Sequence, residues 1–202
     1  MGRNLYISDC HFGHKNVMAY DGRPFISIQE HDNYLIEQWN RVVNDDDTVY
    51  ILGDFIWYKE SQWSEILSKL KGKKVLIRGN HDPHKFSANT KKYFEDIKDY
   101  KEIKDENRNV VLSHYPIPCF NKHYYGGYHL YGHVHTSFEY GMMLNQRRLM
   151  EELYDQPCNM YNVGAMIRYM DYTPRTLDEI IEGFNREQHL ELSSKFNDKL
   201  HN

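Results

Sequence analysis

Cysteine is scarce in this chain. The three residues present, Cys10, Cys119 and Cys158, are odd in number and far apart in sequence, which excludes a disulfide framework and fits a reducing compartment. Long apolar runs are missing too: the first, Leu5 to Ser8, stops at Asp9, so neither a membrane span nor a signal peptide is expected. A lipid anchor at Gly2 is excluded because the myristoylation pattern needs Ser or Thr where Tyr6 stands. Nor is there a surplus of positive charge. A formal net charge of -4 argues against a protein held on nucleic acid by a broad basic face, so nucleic acid is not expected as an obligatory partner. With no membrane contact either, the expected location is the cytoplasm.

What is present is the composition of a globular protein. The 202 residues, 40% hydrophobic and 27% charged, suit one domain over residues 1–202. Asn4 to Ser8 reads as a short buried strand, and Thr48 to Leu52, Lys74 to Arg78, Val110 to Ser113 and Tyr128 to Tyr131 repeat the pattern. Between the first two, Ile28 to Val43 reads as a helix: Ser27 and Glu30 form a capping box, and Leu35, Ile36, Trp39, Val42 and Val43 share one face. A second helix over Glu60 to Leu70 ends before Gly72, a C-cap signal. Asp96 to Ile103 and Met160 to Gly164 read as further strands, and Thr176 with Glu179 opens a last helix. The alternation predicts an α/β fold. Phe138 to Cys158 has mixed periodicity and is expected to be an insertion, while Gly126-Gly127, among tyrosines, reads as a hairpin turn.

Each of the five apolar strands runs into a polar cluster. The first ends in Asp9-Cys10-His11, the second in Gly53-Asp54, and the third in Gly79-Asn80-His81-Asp82. The fourth ends in His114 and the fifth in Gly132-His133-Val134-His135. Any one of these is an ordinary polar cap on a buried strand. Together they gather two Asp, four His and one Asn at strand ends, where α/β sheets bind their ligands. This nitrogen and oxygen set without thiolate suits Mn, Fe or Zn. Seven ligands are too many for one small ion and fit two ions that share a carboxylate.

The ordered set Asp9-x-His11, Gly53-Asp54, Gly79-Asn80-His81-Asp82, His114 and Gly132-His133-x-His135 resembles the calcineurin-like metallophosphoesterases, most closely the compact bacterial and phage phosphoesterases. The resemblance implies two mixed β-sheets packed as a sandwich between helices, a four-layer αββα fold. It implies that Asp9, His11 and His135 hold one divalent ion, that Asn80, His114 and His133 hold the other, and that Asp54 bridges them. Protein serine/threonine phosphatases have Asp-Arg-Gly in the second motif, where Phe55 follows Asp54 here, so that subgroup does not fit. Purple acid phosphatases place a tyrosine ligand where Trp57 stands.

The chemistry implied is hydrolysis of a phosphodiester, or a phosphomonoester, of a small molecule or nucleotide, with a hydroxide activated by the ion pair as nucleophile. His81 would serve as the general acid and Asp82 would orient it. The alternatives are a nuclease on single strands, or a non-catalytic scaffold with the same fold. Because imidazole must be neutral to ligate, metal affinity is expected to weaken as pH falls through about 6.

Overall fold

Along the first strand Leu5 and Ile7 point one way and Tyr6 the other, and each set is buried in a different layer. In the computed structural model, which describes residues 2–200 and, within the last helix, side chains as far as Leu190, two four-stranded sheets result. β1 (Asn4–Ile7), β2 (Thr48–Ile51), β3 (Lys73–Ile77) and β4 (Asp96–Lys98) lie parallel in that order, and Arg175 adds an antiparallel bridge to Tyr6. β5 (Tyr100–Asp105), β6 (Arg108–Ser113), β7 (Tyr128–Tyr131) and β8 (Asn159–Asn162) form the second sheet, antiparallel between β5 and β6 and parallel thereafter.

The period-2 alternation sorts side chains into layers. Leu5, Ile7, Val49, Ile51 and Leu76 pack outward on α2 (Ile28–Val42) and α3 (Trp63–Leu67), through Leu35, Trp39, Trp63 and Ile66. Tyr6, Val75 and Ile77 face inward and meet Val110, Leu112, Leu130 and Tyr161 of the second sheet. The outer face of that sheet, Val111, Tyr131 and Met160, packs on Met150 of α5 (Phe138–Tyr154). Two sheets between helices are therefore the observed architecture, with α6 (Leu177–Leu200) closing the inter-sheet core through Leu177, Ile180 and Phe184. Short helices α1 (Val17–Asp21) and α4 (Ala88–Lys91) lie in the connections.

Local signals act as the sequence indicates at the helix starts. Ser27 Oγ accepts from Glu30 N at 3.1 Å, and Thr176 and Glu179 exchange both bonds of a capping box. Two segments differ from expectation. Asp96 to Ile103 is two strands, because the chain leaves the first sheet at Asp99, held there by Arg78 at 2.7 Å, and enters the second at Tyr100. Gly126-Gly127 is not a hairpin turn, since β6 and β7 are parallel and their connection is a crossover. The segment expected as an insertion carries α5, which links the parallel strands β7 and β8. Among the described residues no helix is long and apolar enough to cross a membrane.

Candidate metal centre

Parallel strands deliver their C-terminal ends to one edge, and there β1, β2, β3, β6 and β7 release the polar clusters. The chain turns sharply at each release. Asp9 (φ 52°), His11 (53°), Asp54 (50°), His133 (69°) and His135 (46°) all adopt the left-handed conformation, which costs a non-glycine residue on the order of 1 kcal/mol or more. Backbone hydrogen bonds hold the strain: Asp9 N to Gly53 O, His11 N to Asp54 O, and Gly132 N to His114 O, at 2.9–3.0 Å. Gly132 is required by close approach, since a Cβ there would lie 2.3 Å from Asp9 Oδ2.

The side chains converge as two groups with Asp9 in common: Asp9, His11 and His135, and Asp9, Asp54 and His114. His11 Nε2 and His135 Nε2 face each other at 3.3 Å, and His135 Nε2 lies 3.4 Å from Asp9 Oδ1. His135 Nδ1 donates to Asp21 Oδ1 at 2.6 Å, so in the neutral ring Nε2 carries the lone pair. In the second group His114 Nδ1 donates to Leu52 O at 2.7 Å, which turns the lone pair of Nε2 toward Asn80 Oδ1 at 3.0 Å. His114 Nε2 is also 3.7 Å from Asp54 Oδ1. The His133 ring sits beside His114, with centroids 5.1 Å apart, and its backbone N–H donates to Asp9.

Something positive must lie among these acceptors, either a proton on His135 or a cation in its place. Donors held roughly 2.1 Å from one cation at near-right angles are about 3 Å apart, so the spacing fits a divalent ion in each group. Burial adds to the case. Asp9 and Asp54 are 0% and 4% exposed, and buried carboxylates are stable when paired or when they coordinate a metal.

Burial dominates the ionisation of these groups. It raises the Asp54 carboxyl, with Asp9 adding to the rise and His114 opposing it. At Asp9 burial acts in the same sense but is outweighed by the hydrogen bond from His135 and by His114, so its carboxyl lies well below the usual range. Burial draws His11 down to about 2, and lowers His133. His135 is the exception. Burial opposes its charge, but Asp21 and Asp9 on either side push it up to about 10.

His81 stands at the rim, with its side chain 47% exposed and Nε2 4.0 Å from Asp54 Oδ2. Its backbone N–H donates to Asp54 Oδ1 at 3.0 Å. Asp82, expected to orient His81, makes no hydrogen bond to that ring. Its carboxylate instead accepts from the backbone N–H groups of Asp54, Phe55 and Gly79 at 2.8–3.0 Å, fixing the turns that carry Asp54 and Asn80. Burial raises this carboxyl to about 6, against those N–H donors. Trp57 packs between His81 and His14, stacked on His14 at 3.8 Å and 7°.

The seven candidate ligands and His81 thus gather at one site: His11, Asp54, Asn80, His81, His133 and His135 line an open cleft of about 430 Å³ with His14, Asn16, Tyr20 and Trp57, and Asp9 and His114 are buried beside them. His123 and His129 lie elsewhere, buried and bonded to the carbonyls of Phe120 and Val111. Sequence reasoning missed Asp21 and Arg23, the first ending the short helix α1 and the second just beyond it, in a segment without periodic pattern. Their only signal is two opposite charges beside Gly22 and Pro24.

A family model described as calcineurin-like phosphoesterase matches residues 3–159. Among curated relatives, "Uncharacterized protein MJ1445" of Methanocaldococcus jannaschii is 31% identical over 185 residues, covering 89% of this chain and 90% of the relative. "Gene 66 protein" of Mycobacterium phage L5 is 33% identical over 136 residues, 57% of this chain and 64% of its own length. Among solved structures, "the Protein of Unknown Function AQ665" from Aquifex aeolicus superposes with a TM-score of 0.65 at 26% identity, covering 90% of this chain and 99% of that one.

Proposed function

Since the chain belongs to the calcineurin-like phosphoesterase family, we propose that it hydrolyses a phosphodiester of a small molecule or nucleotide at this centre, with two divalent ions as cofactors. The observation that carries the reading is the convergence of ligand atoms in both groups, His11 Nε2 on His135 Nε2 at 3.3 Å and His114 Nε2 on Asn80 Oδ1 at 3.0 Å. Asp9, His11 and His135 would hold one ion, Asn80, His114 and His133 the other, and Asp54 both. Bound there, the ions would polarise a phosphoryl oxygen and acidify water.

The protein's own groups supply the rest. Asp82 holds the Asp54 turn, so that bridging carboxylate cannot swing away when substrate arrives. His81, the most exposed imidazole beside Asp54, is free to give a proton or hydrogen bond to the departing alkoxide. Trp57, packed against its ring at 4.6 Å, limits the directions in which His81 can point. Two features favour a diester. No Lys or Arg is among the residues lining the cleft, so a second phosphate charge would find no cationic side chain there. The exposed rings of Trp57, Tyr20 and Tyr115 around the cleft suit planar groups on either side of the phosphate.

The test is turnover of an aryl phosphodiester, an aryl phosphomonoester and a 2′,3′-cyclic nucleotide by Mn-loaded and EDTA-stripped protein. Diester cleavage that disappears with EDTA and returns with Mn is expected, at least tenfold faster than monoester cleavage. If the loaded protein cleaves none of the three, the fold serves here as a scaffold.

A further inference from the structure

Under the Asp9, His11 and His135 group lies a buried ionic network that none of the candidate ligands explains. The Arg23 side chain is 0% exposed and that of Asp21 4%. Four hydrogen bonds and an ion pair hold the guanidinium. Nε and Nη2 reach Asp21 Oδ2 at 2.9 and 2.8 Å, Nη2 also reaches Asp9 O at 2.9 Å, and Nη1 reaches Cys10 O at 3.1 Å and His31 Nε2 at 2.9 Å. His31 in turn donates from Nδ1 to Asp32 at 2.9 Å, and Asp32 accepts from Gly13 N and Tyr58 Oη.

The network touches the site at two places. Asp21 fixes the His135 ring with Nε2 toward His11 and Asp9. Arg23 grips the carbonyls of Asp9 and Cys10, which flank the left-handed turn that presents Asp9 and His11 together. The other group is supported separately: His114 is oriented by the Leu52 carbonyl, and Asp82 holds the turns that carry Asp54 and Asn80.

Resting on the metal-centre reading above, we propose that Asp21 and Arg23 are positioning residues for the ion held by Asp9, His11 and His135, and for that ion only. A carboxylate behind a ligating histidine fixes its tautomer and direction, and removing such a partner typically weakens binding about 10- to 100-fold. Asp21→Ala should therefore weaken one ion by that factor and leave the other at wild-type affinity.

Calorimetric titration of the stripped protein with Zn, together with metal content after dialysis, reads this directly. Wild type should retain two ions and Asp21→Ala one. Asp21→Asn, which keeps an acceptor for His135 Nδ1, should recover most of the loss, and Arg23→Lys should show the same one-sided weakening. A structural role alone would lower both affinities together. In the Zn-loaded wild type the His135 Nδ1–H should give an exchange-protected proton resonance that Asp21→Ala removes. Equal weakening of both ions, or unchanged affinity of both, would overturn the proposal. Should Asp21→Ala not fold, Arg23→Lys decides it on the same readouts. Failure of wild type to bind a pair of ions would instead overturn the proposed function.

Discussion

Adding one methyl group at Gly132 should dismantle the centre while leaving most of the fold in place. A Cβ on Gly132 would lie 2.0 Å from Ser8 Oγ, 2.7 Å from Ser8 Cβ and 2.3 Å from Asp9 Oδ2. Normal contact begins at roughly 3.4 Å, so these atoms must retreat by about 0.7 to 1.4 Å. Neither neighbour can do so freely. Ser8 Oγ donates to Leu52 O at 2.5 Å, and Asp9 accepts from His133 N while its own N–H is bonded to Gly53 O. Residue 132 is pinned as well, through Gly132 N to His114 O. Overpacking of this kind costs about 1–3 kcal/mol. Displacing a ligand by about 1 Å can cost about 10²-fold in rate. Gly132→Ala should therefore lower stability by that amount in urea denaturation, bind metal more weakly, and lose turnover by at least 10²-fold. Gly141→Ala is the control. It sits exposed in α5 with nothing within 4 Å of its Cβ position, and should raise stability by about 0.4–1 kcal/mol. Wild-type metal affinity and activity in Gly132→Ala would refute the close packing on which the centre depends.

Three further changes probe other parts of the molecule. His81→Ala should keep both ions by elemental analysis but slow turnover of a poor leaving group by about 10²-fold, and an unchanged kcat would remove the general-acid role. His135, raised to about 10 by Asp21 and Asp9 despite burial, must lose a proton to ligate. Metal binding should release close to one proton at pH 7 and tighten about tenfold per pH unit up to that value, whereas the metal-free protein should lose stability as pH rises through about 10; affinity flat between pH 7 and 9 would contradict this. Away from the site, burial works against the charge of Asp47, but hydrogen bonds from Arg3 and from the backbone of Arg3 and Asn44 outweigh it and lower its carboxyl to about 2. It therefore stabilises the fold above its ordinary value and ceases to as pH falls through about 2; Asp47→Asn should lose about 2 kcal/mol at pH 7, with the gap closing near pH 2, and a gap independent of pH would count against it.

The parts of the site that could be read from sequence are those in which a strand hands its polar residue directly to the edge. Asp9, His11, Asp54, Asn80, His114, His133 and His135 all follow short apolar runs, and their placement needs only that the strands be parallel. The capping residues Ser27 and Thr176 were legible for the same reason, since their partners are three residues away. Partners made by tertiary folding were not. Arg23 reaches the carbonyls of Asp9 and Cys10 and Asp21 reaches His135, 114 residues distant, so no local pattern announces either. Asp82 sits beside His81 in sequence, yet its oxygens turn to the backbone of the β2 turn. The pH window for metal binding, placed near 6 by the ordinary imidazole value, is expected to lie higher because Asp21 and Asp9 hold a proton on His135. The segment containing α5 resisted reading because its outward face carries Phe138, Met142, Leu149 and Leu153, all exposed, which blurs the helical period.

Diffraction from crystals grown in manganese, recorded for its anomalous signal, bears most directly on the central claim. Two peaks roughly 3.5–4 Å apart are expected, one among Asp9, His11 and His135 and one among Asn80, His114 and His133, with Asp54 reaching both. A single peak, or manganese bound anywhere but these side chains, would contradict it.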